Sequence, residues 1–148
     1  MSDFSCRRRE PEKTNLYGIV RDHLAEFLQT ALLVEDDASI RGLVRENLSA
    51  DGFHVLEAGS PGEALGIIAG HGDSIRLILT DQIMPEMSGI RMVEQMIRAY
   101  PKVRVIIMSG YVEDAHAWDH ISGAGDGFIS KPFALDDLLD RVRRSLAA

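Results

Sequence analysis

The sequence predicts an α/β fold, a doubly wound parallel sheet of five strands with five flanking helices, on two observations. Short runs rich in Val, Ile and Leu alternate with stretches whose apolar residues recur at helical spacing. Four of those runs also end on a polar or charged residue: Asp36, Asp81, Ser109 and Lys131. In a parallel sheet the carboxyl ends of the strands share one edge, where open α/β folds bind their ligands.

The first run, Ala31-Leu32-Leu33-Val34-Glu35, leads into a helix marked by Ile40, Leu43, Val44 and Leu48, with Asp37 or Ser39 as its cap. Asp51-Gly52 turns the chain into the second strand, Phe53-His54-Val55-Leu56. Ser60-Pro61 opens the next helix, with Pro at its first position and Ala64, Leu65, Ile67 and Ile68 inside. Gly70-His71-Gly72-Asp73 breaks that helix before the third strand, Ile75 to Thr80, which ends on Asp81. Ser88 caps a helix built on Ile90, Val93, Met96 and Ile97, which Tyr100-Pro101 stops. The fourth strand, Val103 to Met108, ends on Ser109, and Gly110 leads into a weaker helix from Val112 to Ile121. Gly123, Gly125 and Gly127 precede the short last strand, Gly127 to Ser130, which ends on Lys131. Leu135, Leu138, Leu139, Val142 and Leu146 mark the closing helix, with Arg141, Arg143 and Arg144 near its carboxyl end, where they suit the helix dipole.

The 148 residues fit one domain over 30–148, preceded by an extension over 1–29. Within that extension Arg7 to Lys13 is charged and reads as disordered, and residues 15–28 fit an amphipathic helix on Leu16, Ile19, Val20, Leu24, Phe27 and Leu28. Basic and acidic groups balance in 1–29, so the whole net charge of −7 falls on 30–148. An acidic domain lacks the phosphate contacts that drive nucleic-acid binding, so no direct nucleic-acid partner is expected. No apolar run approaches the roughly 20 residues of a membrane span, and no signal peptide is visible. A lone Cys6 excludes a disulfide framework, and a cytoplasmic location follows as the default.

Glu35, Asp36 and Asp37 stand together at the end of the first strand, and Asp81 ends the third. Carboxylates gathered on one edge repel unless a cation neutralises them, and oxygen-only ligands suit Mg²⁺, which takes one or two carboxylates plus phosphate oxygens. The alternative is that Asp36 and Asp37 only cap the following helix. A carboxylate such as Asp81 can attack phosphorus and form an aspartyl phosphate. Ser109 could then hydrogen-bond one phosphoryl oxygen, and Lys131 could place its charge on another. Taken singly, Ser109 is a strand-end hydroxyl and Lys131 a solvated loop lysine.

Leu33-Val34-Glu35-Asp36-Asp37, Asp81-Gln82-Ile83-Met84-Pro85-Glu86-Met87-Ser88-Gly89, Met108-Ser109-Gly110-Tyr111 and Lys131-Pro132-Phe133 together resemble a response-regulator receiver domain of two-component signalling, over about residues 30–146. The resemblance implies a flavodoxin-like sheet of order 2-1-3-4-5. It implies that Asp81 accepts a phosphoryl group from a histidine kinase or a histidine phosphotransfer protein. Asp36, Asp81 and the backbone carbonyl of Ile83 would bind Mg²⁺, with Mn²⁺ as a substitute, and Glu35 would act through a metal-bound water. Ser109 and Lys131 would contact the phosphoryl group, Ser109 and Phe128 would form the switch, and the Lys131-Pro132 bond would be cis. The fourth helix, fifth strand and fifth helix would form the face for a downstream protein partner. The Met-Ser-Gly-Tyr stretch is similar to receivers of hybrid kinases, while the Gly123–Gly127 loop runs a residue longer than the family's spacing.

The expected function is therefore a stand-alone phosphorelay receiver that catalyses only its own phosphorylation and dephosphorylation. No output domain fits after Ala148, so output is expected through protein contact or onward phosphotransfer. The rivals are a Mg²⁺-dependent phosphohydrolase and a phosphorylation-independent adaptor. A hydrolase would want a second acid two residues after its nucleophile, where Ile83 stands. That apolar side chain is expected instead to limit attacking water and lengthen the phosphoryl lifetime. His116 and His120, with Glu113 nearby, read as surface residues rather than a zinc site, lacking the glutamate of a His-Glu-x-x-His motif. Trp118 reads either as an exposed partner contact, which the resemblance favours, or as packing. Arg7-Arg8-Arg9 beside Glu10 and Glu12 reads as a solvated tail.

Overall fold

The computed structural model describes residues 29–122 and 127–147. Its strands are β1 (Thr30–Val34), β2 (His54–Ala58), β3 (Ile75–Asp81), β4 (Arg104–Ser109) and β5 (Phe128–Ser130). They form one parallel sheet of order β2-β1-β3-β4-β5. Between and after them run α1 (Ala38–Ala50), α2 (Pro61–His71), α3 (Gly89–Ala99), α4 (Val112–Ser122) and α5 (Leu135–Ala147), with a 3₁₀ turn at Gly72–Ser74. The expectations for residues 1–28, and for most of the glycine loop at 123–126, lie outside the described residues. Among those described, no helix is long and apolar enough to cross a membrane.

Strand residues alternate between two cores, as the two-residue period of a strand requires. Leu32, Val34, Ile78, Val105 and Ile107 pack with Ala64 and Ile68 of α2, Met92, Val93 and Met96 of α3, and Trp118 of α4. Ala31, Leu33, Leu77, Leu79, Ile106 and Met108 pack with Val44 and Leu48 of α1 and Leu138 and Val142 of α5. Both faces are thus covered, which is why these strands read as continuous apolar runs. Right-handed crossovers place α1 on one face and α2, α3 and α4 on the other, because the chain reverses direction across the sheet between β1 and β3; α5, after the last strand, packs beside α1. At that reversal the loops leaving β1 and β3 run to opposite faces of the sheet, the place where open α/β folds bind ligands. On the α1/α5 face, Arg143 donates to both oxygens of Asp51 (2.6 and 3.1 Å), tying α5 to the end of α1.

Four local expectations need correction. Ile40 and Leu43 are exposed rather than interior. Residues turn about 100° apart around a helix, so Leu43 points away when Val44 points inward, and Ile40 lies in the first turn, past the end of β1. Phe53 is buried but precedes β2, because its N–H bonds the Leu48 carbonyl (3.1 Å) and finishes α1 instead of joining the sheet ladder. Gly127 lies just before β5, although its carbonyl accepts from the Ile107 N–H (2.8 Å). Trp118 is 1% exposed, so it is a packing residue and not a surface contact.

Candidate functional site

Asp36 and Asp37 divide the two roles open to them. The Asp37 carboxylate caps α1, accepting from the N–H groups of Ser39 (2.9 Å) and Ile40 (3.1 Å). Asp36 instead joins Glu35 and Asp81, one carboxylate oxygen from each lying within 4.8 Å of the other two. Among the described residues that is the one cluster able to hold a metal, and it excludes His116 and His120, both exposed. Parallel pairing sets the arrangement: Val34 lies opposite Thr80 and Asp81 opposite Met108, so β1, β3 and β4 finish level with one another.

Lys131, just past β5, reaches across this edge. Its Nζ lies 3.1 Å from Asp81 Oδ1 and 3.6 Å from Glu35 Oε2. The Lys131–Pro132 peptide bond is cis. Glu35 is buried, and its Oε2 has no hydrogen-bond partner. Burial, and next the charge of Asp81, push the Glu35 carboxyl up to about 7, against the pull of the Lys131 ammonium. One ammonium thus stands against a cluster of three carboxylates and pairs with two of them, and a buried oxygen of Glu35 has no hydrogen-bond donor. An all-oxygen donor set with this excess of negative charge fits a hard divalent cation such as Mg²⁺.

The loop after β3 is held close. Gly89 donates to the Gln82 carbonyl (3.0 Å), and a Cβ at position 89 would collide with the Asp81 carbonyl oxygen. Only glycine permits that approach. Glu86, in the same loop, holds φ at 76°, a left-handed conformation costing a non-glycine residue about 1–2 kcal/mol. Ile83 is 61% exposed, so an apolar side chain stands in the open two residues from Asp81.

Ser109 ends β4 beside this cluster, and its side chain is engaged elsewhere. Its hydroxyl donates to Asp114 Oδ2 of α4 (2.5 Å) and accepts from the Tyr111 N–H (3.1 Å). Gln82 donates to the other oxygen of Asp114 (3.3 Å) and accepts from the Ile90 N–H (2.8 Å). Phe128 is buried in the core on the α2/α3/α4 face. Arg41 of α1 holds the Glu35 carbonyl (2.7 Å) and lies 3.5 Å from Glu57, fixing the turn that carries Asp36. Gln82, Asp114 and Arg41 went unread in the sequence. A polar Gln82 directly after the apolar run to Asp81 was the available signal for one of them. Nothing in local spacing singles out the other two.

Residues 31–143 match the response regulator receiver domain family. The sensor kinase CckA of Brucella abortus is 39% identical over 118 residues, covering 79% of this chain and 12% of that protein. The response regulator receiver protein CpdR of the same organism is 28% identical, covering 82% of this chain and 99% of CpdR. The first relatives are mostly far longer than the matched region, which spans between 12% and 49% of five of them. Among solved structures, the chemotaxis response regulator CheY4 of Vibrio cholerae superposes with a TM-score of 0.70 at 26% identity, covering 80% of this chain and 99% of that one. The sheet order, the acidic edge with its lysine and the family match agree, and the chain belongs to the response regulator receiver domains of two-component signal transduction.

Proposed function

We propose that Asp81 is the phosphoacceptor of this receiver. In that reaction an Asp81 carboxylate oxygen attacks the phosphorus of a phosphohistidine, a P–O bond forms, the P–N bond breaks, and the imidazole leaves with a proton from solvent. The observation that carries this reading is Lys131 Nζ lying 3.1 Å from Asp81 Oδ1 at the centre of the acidic cluster. Asp36, Asp81 and the Ile83 carbonyl would hold Mg²⁺, with Glu35 acting through a water, and the cation would offset the charge of the incoming phosphoryl oxygens. Lys131 would turn from the free carboxylate to a phosphoryl oxygen, and Ser109 would donate to another. With the exposed Ile83 at the position of a hydrolase's second acid, no proton donor stands there to speed turnover, which favours a switch over an enzyme.

The phosphodonor would be a histidine kinase or a histidine phosphotransfer protein. The downstream protein would bind the face made by α4, β5 and α5. That face carries a cleft of about 470 Å³ whose lining includes Ala115, Phe128 and Phe133 together with Asp119, Asp137 and Arg141. The net charge of −7 argues against nucleic acid as that partner. The setting is cytoplasmic, where two-component phosphotransfer meets its nucleotide-charged donors.

Acetyl phosphate with Mg²⁺, followed by intact-mass measurement, tests the reading. The wild type is expected to gain the mass of one phosphoryl group and Asp81→Asn none. Equal adducts on both proteins, or none on either, would defeat it. Ile83→Asn is expected to shorten the lifetime of the adduct, read as loss of that mass with time.

A further inference from the structure

We propose that Asp114 is the resting acceptor of the Ser109 hydroxyl, and that Gln82 holds Asp114 in place for it. On this view the phosphoryl group at Asp81 has to take Ser109 away from Asp114. The proposal rests on Asp81 being the phosphoacceptor.

A serine hydroxyl carries one proton to donate, and a carboxylate can only accept. At 2.5 Å from Asp114 Oδ2, that proton is committed in a short, charge-assisted hydrogen bond. Ser109 is 1% exposed, so water does not compete for it freely. A phosphoryl oxygen at Asp81 needs the same proton. Two acceptors and one donor make a competition.

Gln82 makes the arrangement more than a chance contact. The Ile90 N–H can only donate, so it fixes the oxygen of the Gln82 amide and turns the NH₂ toward Asp114. Each oxygen of Asp114 thus receives one donor, from the last residue of β4 and the residue after β3. Asp114 lies in the first turn of α4, while Ile90 lies in the first turn of α3, so the Gln82 side chain couples the starts of both helices. When Ser109 leaves, the Asp114 carboxylate at the start of α4 loses one of its two side-chain donors. Asp114 and Gln82 act through Ser109 and are positioning residues.

Mg²⁺-beryllofluoride, which mimics a phosphoryl group on a carboxylate, tests this by calorimetric titration. Asp114→Ala is expected to bind it roughly tenfold tighter than wild type, the order set by one hydrogen bond to a charged group. Gln82→Glu keeps an acceptor for the Ile90 N–H and sets a carboxylate against Asp114, and it should shift affinity in the same direction. The deciding readout is the Ser109→Ala background: there Asp114→Ala should change nothing, because no hydroxyl is left to release. A merely structural Asp114 would alter affinity equally in both backgrounds, and that result would overturn the proposal. So would unchanged affinity in both Asp114→Ala and Gln82→Glu while the wild type binds. Failure of the wild type to bind at all would instead remove the phosphoacceptor reading, and this proposal with it.

Discussion

Helices α3 and α4 each follow a site-bearing strand, on the same face of the sheet, yet they are attached in different ways. α3 buries Gly89, Ile90, Met92, Val93 and Met96, and its first residue packs against the backbone of Asp81 and Gln82. Of the described side chains of α4, Trp118 alone is buried, while Val112 and Ile121 are 67% and 46% exposed. At its start α4 is held by polar contacts through Asp114. Apolar burial is hard to reverse, whereas hydrogen bonds can be exchanged for others of similar strength. The difference makes α3 part of the scaffold that fixes Asp81, and α4 the element free to answer what happens there.

The largest effect is expected at Trp118, the one buried side chain among those described in α4. Gly127 leaves room for the Trp118 indole: a Cβ there would lie 2.5 Å from Trp118 Nε1 and 3.1 Å from the Val105 carbonyl. Trp118→Ala should cost about 4 kcal/mol in chemical unfolding, as other buried aromatics do. Amide exchange should accelerate most over 112–121. If 89–99 accelerated equally, the two helices would form one cooperative unit and the contrast would fail.

Glu35 sharpens the contrast from the other side. The folded protein holds the Glu35 proton more tightly than the unfolded chain, so this group's contribution is fully present below about pH 4.5 and is lost as pH rises to about 7. Glu35→Gln removes that loss. With divalent cations chelated, the variant should be more stable than wild type by about 3 kcal/mol near pH 8, and the gain should vanish near pH 4.5. Amides that open only with global unfolding should slow in the variant. Those of α3 are expected to slow and those of α4 to exchange as before, because local opening does not feel a global gain.

The strands and the acidic edge were legible in the sequence for one physical reason. Strands covered on both faces read as apolar runs, and a charged residue ending such a run marks the sheet edge, as Asp36, Asp81 and Lys131 do. Sequence does not decide between contact and packing for Trp118, because one buried residue among exposed neighbours makes no stripe; the space above Gly127 decides it. The Gln82–Asp114 contact joins residues 32 positions apart through side chains alone, and neither helical nor strand spacing foretells it. Asp37 and Asp36 could be told apart only once the cap geometry and the carboxylate cluster were visible.

Gly89→Ala bears on why α3 stays in place. The added methyl has nowhere to go except against the Asp81 and Gln82 backbone, so the start of α3 must shift away from β3. A cost of about 2 kcal/mol is expected, within the range for overpacking a closed site. Phosphorylation from acetyl phosphate should slow as well, since the displaced backbone carries the acceptor.

The smallest effect separates capping from packing at that same helix start. Ser88 Oγ accepts from the Arg91 N–H (3.2 Å), so Ser88→Ala should cost about 1 kcal/mol, the usual worth of such a cap. If α3 is fixed by its buried face, the loss of the cap should fray only the first turn, and exchange should quicken at residues 89–91 alone. Met92, Val93 and Met96 are buried beneath the rest of the helix, and the Met92 N–H bonds the Ser88 carbonyl (3.0 Å), which Ser88→Ala keeps. Faster exchange along all of 89–99 would mean that α3 too is held mainly by its hydrogen-bonded start, and the distinction between a scaffold helix and a responsive one would then disappear.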